Sequence, residues 1–242
     1  NQIQRNIAYT PNVLYRLRDD FTDKLRHLIS LLHPDETKKE VHLSFGSTFI
    51  ANILAISICA FLGRKPIVLA LEGEHEGAKS PFQNYTNLKI FESYEKLEEF
   101  VLNSDLIDGF LISTFRYRDG KKNPIEKIWE LRNEKVPNAF IIADLAQNFS
   151  VNKISFKYFD IGFASTHKWL AGAMGQGVLW ISSKWSENLD RYKLFGSSPI
   201  NNKYGLIGGC DFLGLVETYF AIKIRLKASA GYSLAFPSLL ME

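Results

Sequence analysis

Ile161-Gly162-Phe163-Ala164-Ser165-Thr166-His167-Lys168-Trp169 is an apolar run that ends abruptly in a polar cluster and opens onto the glycine-rich stretch Gly172-Ala-Met-Gly-Gln-Gly177. A short apolar run bounded by turn residues reads as a buried strand. Ala139–Ala146, just upstream, has the same form and ends on Asp144-Leu145-Ala146-Gln147. An amine and a carboxylate thus terminate neighbouring strand-like segments.

Working outward, the same grammar repeats. Val41–Phe45, Pro66–Glu72, Leu88–Phe91, Gly109–Phe115 and Val178–Ser182 read as further strands, seven with the two above. Helices are expected over Thr48–Leu62, Tyr94–Leu102 and Pro124–Asn133, the last with its proline in the first turn. Most strands are continuous apolar runs rather than alternating ones, the mark of a parallel sheet covered on both faces. Val178–Ser182 follows its predecessor too closely for a crossover helix, so an antiparallel pairing is expected there. Before the sheet, Leu14, Leu17, Phe21, Leu25, Leu28 and Leu32 recur at helical spacing over Val13–His33, which Pro34 terminates. Asn188–Gly208 is the least regular stretch, Phe212–Leu226 reads as a helix, and Ser229–Glu242 carries little pattern. Segment 1–40 is taken as an N-terminal helical segment, 41–208 as one large domain, and 209–242 as a connecting helix and the start of a truncated C-terminal region.

The chain has 242 residues, 46% hydrophobic and 23% charged, as in an ordinary soluble globular protein. A net charge of +3 is too small to argue for nucleic acid. No apolar run reaches the roughly 18 residues of a membrane span, and the polar opening does not read as a signal peptide. Only Cys59 and Cys210 are present, which suggests a reducing compartment, a cytoplasmic one. None of His27, His33, His42, His75 and His167 pairs at metal-ligand spacing, so no metal site is expected.

In a doubly covered parallel sheet, ligands gather beyond the carboxyl ends of the strands, where Asp144 and Lys168 both lie. A lysine on a rigid strand end can form a Schiff base with an aldehyde, and a carboxylate nearby can keep a pyridine nitrogen protonated. Pyridoxal 5'-phosphate chemistry needs that pair. Each residue also has a plainer reading: Lys168 as a solvated loop lysine, Asp144 as a cap on the next turn, Gln147 as a surface amide. Gly46-Ser47-Thr48 closes a strand and opens a helix, where backbone N–H groups and hydroxyls suit a phosphate, or where Ser and Thr simply cap. Ser165 and His167 could add phosphate contacts, or be a core serine and a satisfied histidine. His75, in Glu74-His75-Glu76-Gly77, could lie on a pyridine ring and move protons, or be a loop histidine. In Phe115-Arg116-Tyr117-Arg118-Asp119-Gly120, Arg116 is a candidate for a substrate carboxylate, while Arg118 reads as part of a charged turn. The order of these signals, each after a strand, is more telling than any one of them.

Asp144-Leu-Ala-Gln147, Ser165-Thr-His-Lys168, the glycine loop 172–177, Gly46-Ser-Thr48 and Glu74-His75 together resemble the class V aminotransferase family of fold type I pyridoxal phosphate enzymes, which includes cysteine desulfurases and kynureninases. The resemblance runs from about Val41 to Leu226 and extends to Tyr117-Arg118-Asp119-Gly120. It implies a three-layer α/β/α large domain with a mostly parallel seven-stranded sheet and a C-terminal small domain, largely missing here. It also implies pyridoxal 5'-phosphate on Lys168, Asp144 at the ring nitrogen, Gln147 at the phenolic oxygen, and Thr48, Ser165 and His167 at the phosphate. His75 would stack on the ring, and a homodimer would share its sites across the interface. Two departures stand out: Arg116 replaces a small polar residue, and Gly209-Cys210 stands where Gly-Thr is common.

The function expected is an aminotransferase acting on an amino acid or amino-bearing metabolite. A lyase, a kynureninase-like hydrolase, an epimerase or a non-catalytic binding protein on the same fold are the alternatives. Desulfuration is disfavoured, since Cys59 lies in an apolar helix. A nucleotide-binding sheet protein lacks both the Gly-x-Gly-x-x-Gly and the Walker patterns.

Overall fold

The computed structural model describes residues 11–32, 39–104, 106–151, 155–190, 206–207 and 212–231. Cys210, most of the irregular stretch 188–208 and the last residues from 232 lie outside them.

Eight strands form one sheet: β1 (Glu40–Phe45), β2 (Ile67–Leu71), β3 (Asn87–Phe91), β4 (Gly109–Ser113), β5 (Phe140–Asp144), β6 (Ile161–Ser165), β7 (Gln176–Ile181) and the two-residue β8 (Leu206–Ile207), in the order β3-β2-β4-β5-β6-β7-β1-β8. The first seven fall where the apolar runs place them. Strand β7 runs antiparallel to both β6 and β1, and every other pairing is parallel. The short connection before β7 leaves it no other choice.

Among the described residues, seven helices cover the sheet: α1 (Pro11–Leu32), α2 (Ser47–Leu62), α3 (Glu76–Tyr85), α4 (Tyr94–Leu102), α5 (Ile125–Lys135), α6 (Ser183–Asp190) and α7 (Phe212–Gly231). Alternate strand residues feed two separate cores. Leu69 and Leu71 of β2 face one core, closed by Leu25 and Ile29 of α1, Leu97 of α4, Ile128 of α5 and Ile222 of α7. Val68 and Ala70 face the other, closed by Leu54 and Ile58 of α2, Phe82 of α3 and Trp185 of α6. The result is a three-layer α/β/α sandwich.

Two helices escape the sequence pattern. Helix α3 carries Gly77 and Pro81 and buries only Ala78, Pro81 and Phe82, too little for an apolar stripe. Helix α6 spans eight residues, too short for periodicity to register. A third difference concerns Pro124, which stands before α5 as its N-cap at ψ 59° rather than inside the first turn. Edge strand β3 is largely exposed, and Lys89 and Asn87 on it deter edge-to-edge pairing.

Candidate active site

Strand register explains why residues far apart in the chain converge. At the start of β7, Gly177 pairs with Ser165 on one side and with Ser44 on the other. The carboxyl ends of β6 and β1 therefore flank one point of the antiparallel strand. Across it, Ser165 Oγ accepts the Ser47 N–H at 2.9 Å and donates to Ser47 Oγ at 2.8 Å, although 118 residues separate them. The glycine loop closes the floor, where Gly46 N–H donates to Gly175 O at 2.9 Å. Thr166 ties the loop down by donating to Ala173 O at 3.0 Å.

Helix α2 thus begins at a rigid junction, and its N-cap, Gly46, offers no side-chain cap. Ser47 N–H is taken by Ser165 Oγ and Phe49 N–H by Gly46 O, which leaves the Thr48 N–H and the helix dipole to favour an anion at that terminus. A cavity of about 270 Å³ opens there, lined by Ser47, Thr48, His75, Ser165, His167 and Lys168 together with Gly46, Phe49 and Gly175. Six residues singled out from the sequence therefore share one wall. His167 Nδ1 is buried with no partner among the described residues, a polar atom that a ligand could satisfy. Thr48 is held at the mouth by the close approach of α3: a Cβ on Gly77 would lie 2.4 Å from Thr48 Oγ1.

Asp144 stands behind this wall, 6% exposed. One oxygen accepts the Ala146 N–H at 2.8 Å, so the turn-capping role is real. The other accepts no hydrogen bond among the described residues. Burial pushes the Asp144 carboxyl above its usual range, while the Ala146 bond and the charges of Lys168 and His75 pull it back. Gln147 accepts from Trp169 Nε1 at 2.9 Å, which leaves the Gln147 amide nitrogen free to donate and anchors the residue next to Lys168. His75 N-caps α3, with Nδ1 accepting the Gly77 N–H at 3.1 Å, so the neutral ring carries its proton on Nε2.

Three candidates, Asp144, Gln147 and Arg116, do not line the cavity, and Arg116 is turned to other partners. Its side chain packs over Gly73 and pairs with Asp119 at 3.3 Å. The neighbouring Tyr117 has a place that sequence reasoning did not assign. Its ring meets His75 edge-on at 4.7 Å, and Lys168 Nζ lies 5.8 Å from its centroid. Glu74 was likewise only part of a motif, yet it is buried and bonded to Ser113. A glutamate at the turn after a strand reads as solvated, and only the fold turns this one inward. Cys59 is half-buried in α2 and lines neither this cavity nor its rim.

A larger cleft of about 420 Å³ lies at the opposite strand ends, between Phe61, Phe140 and Trp185. Its acid, Asp108, is paired with Arg64 and no histidine joins Lys184 there, whereas the smaller cavity gathers His75, His167 and Lys168, which is what marks it as the candidate site.

The set of donors fits pyridoxal 5'-phosphate. The uncapped helix start and the hydroxyls of Ser47, Thr48 and Ser165 suit a phosphate, the unbonded Asp144 oxygen suits a protonated ring nitrogen, and Lys168 suits the aldehyde.

The family model described as "Aminotransferase class-V" matches residues 36–205. Among solved structures, the fold is similar to a ureidoglycine–glyoxylate aminotransferase from Bacillus subtilis (TM-score 0.66, 11% identity, covering 87% of this chain and 58% of that one). It is also similar to a cysteine desulfurase from Thermococcus onnurineus (TM-score 0.72, 14% identity, 89% and 59%) and to an alanine–glyoxylate aminotransferase from Nostoc (TM-score 0.68, 14% identity, 87% and 60%). The chain thus spans less than two thirds of the length of each of these structures. No curated protein sequence matches it.

Proposed function

The chain belongs to the class-V aminotransferases, and on that premise we propose that it is a pyridoxal phosphate-dependent transferase that takes the amino group of an amino acid or amino-bearing metabolite. The observation that carries this reading is the meeting of Lys168, His75 and His167 with the start of α2 in one cavity, with buried Asp144, one oxygen unbonded among the described residues, as the charged neighbour of Lys168 and His75.

Bound pyridoxal phosphate supplies an electron sink for the bond broken at the substrate carbon. The chain's own residues do the rest. Asp144 holds a proton on the ring nitrogen, and the Gln147 amide donates to the phenolic oxygen. Ser47, Thr48, Ser165 and His167 hold the phosphate against the start of α2. His75 covers the ring, itself braced edge-on by Tyr117. Lys168 Nζ would hold the aldehyde and, when free, would serve as the base that moves the substrate α proton. Transfer needs no further nucleophile, which is why it is preferred over elimination, carbon–carbon cleavage or racemisation on the same residues.

Exposed apolar side chains ring the mouth: Phe45, Phe49, Tyr117, Trp169 and, at 83% exposure, Met174. A second copy of the chain covering this rim would exclude water from the site. No helix among the described residues is long and apolar enough to cross a membrane.

The test is absorbance on adding pyridoxal phosphate, then borohydride reduction and peptide mapping. The stable label is expected on Lys168, with product analysis across amino donors identifying the reaction. A Lys168→Ala protein that keeps the wild-type visible spectrum overturns the assignment.

A further inference from the structure

Two buried carboxyls flank the back of the cavity. Glu74 is 7% exposed and Asp144 is 6% exposed. Glu74 leaves β2 through Gly73, whose φ of 92° suits glycine and turns the next side chain inward. There one oxygen accepts the Ser113 N–H at 2.8 Å, and the other shares a hydrogen bond with Ser113 Oγ. Ser113 is the last residue of β4 and pairs in register with Asp144 on β5. The junction is further braced by Asn123, which donates to Ser113 O at 2.8 Å, and by the Thr114 N–H, which donates to Asp144 O at 3.0 Å. His75 is the next residue in the chain. The Glu74–Ser113 contact therefore sets the height of the His75 ring relative to Asp144.

The charges around the two acids differ. Asp144 has the Lys168 amine and the His75 imidazole as neighbours that favour its ionised form. Glu74 has Asp144 as its charged neighbour and no cation bonded to it among the described residues. Arg116, from the loop after β4, packs over Gly73 but pairs with Asp119, and Glu76 on α3 pairs with Lys79. Two carboxylates this deeply buried do not both ionise, and the one lacking a cation keeps its proton.

We propose that Glu74 is a positioning residue, a neutral carboxylic acid that pins the His75 loop to Ser113 and leaves Asp144 as the single carboxylate at the cavity. Burial, opposed by the Ser113 bonds and reinforced by Asp144, raises the Glu74 pKa to about 8, so the acid is neutral at neutral pH. Its hydroxyl then donates to Ser113 Oγ while its carbonyl oxygen accepts the Ser113 N–H. The consequence for the ring site rests on the pyridoxal phosphate reading; the clamp itself does not.

The experiment uses the cofactor-free protein. The His75 imidazole is followed by NMR against pH in wild type, Glu74→Gln, Glu74→Ala and Ser113→Ala, with hydrogen exchange of the Ser113 amide. In wild type a second inflection of the His75 resonance is expected near pH 8, as Glu74 ionises beside it. Glu74→Gln, a neutral isostere, should abolish that inflection and keep Ser113 protected. Glu74→Ala, or Ser113→Ala for the hydroxyl bond where the alanine at 74 fails to fold, should speed local exchange by about tenfold, the loss of one buried hydrogen bond. An inflection that survives in Glu74→Gln, or exchange in Glu74→Gln as fast as in the alanine variants, overturns the proposal. A parallel absorbance titration of wild type with pyridoxal phosphate separates the two readings: no binding there rejects the cofactor and leaves the clamp standing.

Discussion

Ser165 Oγ, at the end of β6, receives the Ser47 N–H that opens α2 at 2.9 Å. One hydroxyl thereby joins the two strand ends on which the anion site is built. Ser165→Ala removes it. We expect a loss of about 1 kcal/mol in stability, as for other lost helix-start bonds. Affinity for pyridoxal phosphate should fall by about tenfold on the same hydrogen-bond scale. Thermal unfolding and absorbance titration read the two effects separately, and unchanged affinity would remove Ser165 from the phosphate site.

Asp144 is expected to trade stability for function. Its folded pKa is raised by burial, so between the ordinary carboxyl value and that raised one the native state holds a proton the unfolded chain has lost. Its contribution is greatest below the ordinary value and is lost as pH rises through the folded one. Asp144→Asn keeps an acceptor for the Ala146 N–H and carries no charge. It should flatten this part of the pH–stability curve and unfold no lower than wild type at neutral pH, while retaining pyridoxal phosphate poorly. Chemical denaturation at several pH values checks the first claim, and dialysis of the loaded protein checks the second.

Gly77→Ala tests the contact between α2 and α3. The new methyl would meet Thr48 Oγ1 at 2.4 Å, so the Thr48 side chain must rotate or one helix start must move. Overpacking of this kind costs about 1–3 kcal/mol. Because Thr48 borders the cavity, ligand affinity should fall with it. A variant as stable and as tight-binding as wild type would show that the two helix starts are loosely joined.

Trp180 on β7 is 1% exposed and packs edge-on against Phe149 at 5.3 Å. Trp180→Ala should cost about 3–5 kcal/mol, as for other large-to-small core changes. Trp180→Phe should cost less, with the site intact in the fraction that stays folded. Denaturant midpoints for the pair measure the difference.

The local chain was enough to determine the strand runs and the one reversed strand, and to single out Ser47, Thr48, His75, Ser165, His167 and Lys168, which line one cavity. Each depends on neighbours a few positions away: apolar runs, short connections, polar residues at run ends. Tertiary structure alone decided the rest. Glycine and proline in α3 hid a helix that exists because Phe82 finds a core to fill. Tyr117, on an exposed loop, became a neighbour of His75 and Lys168 only when β2, β4 and β6 were aligned in one sheet. Arg116 went to Gly73 and Asp119 rather than to the cavity. Glu74 owes its proton to burial beside a second acid on another strand, and no linear pattern records how far two carboxyls lie from water or from each other.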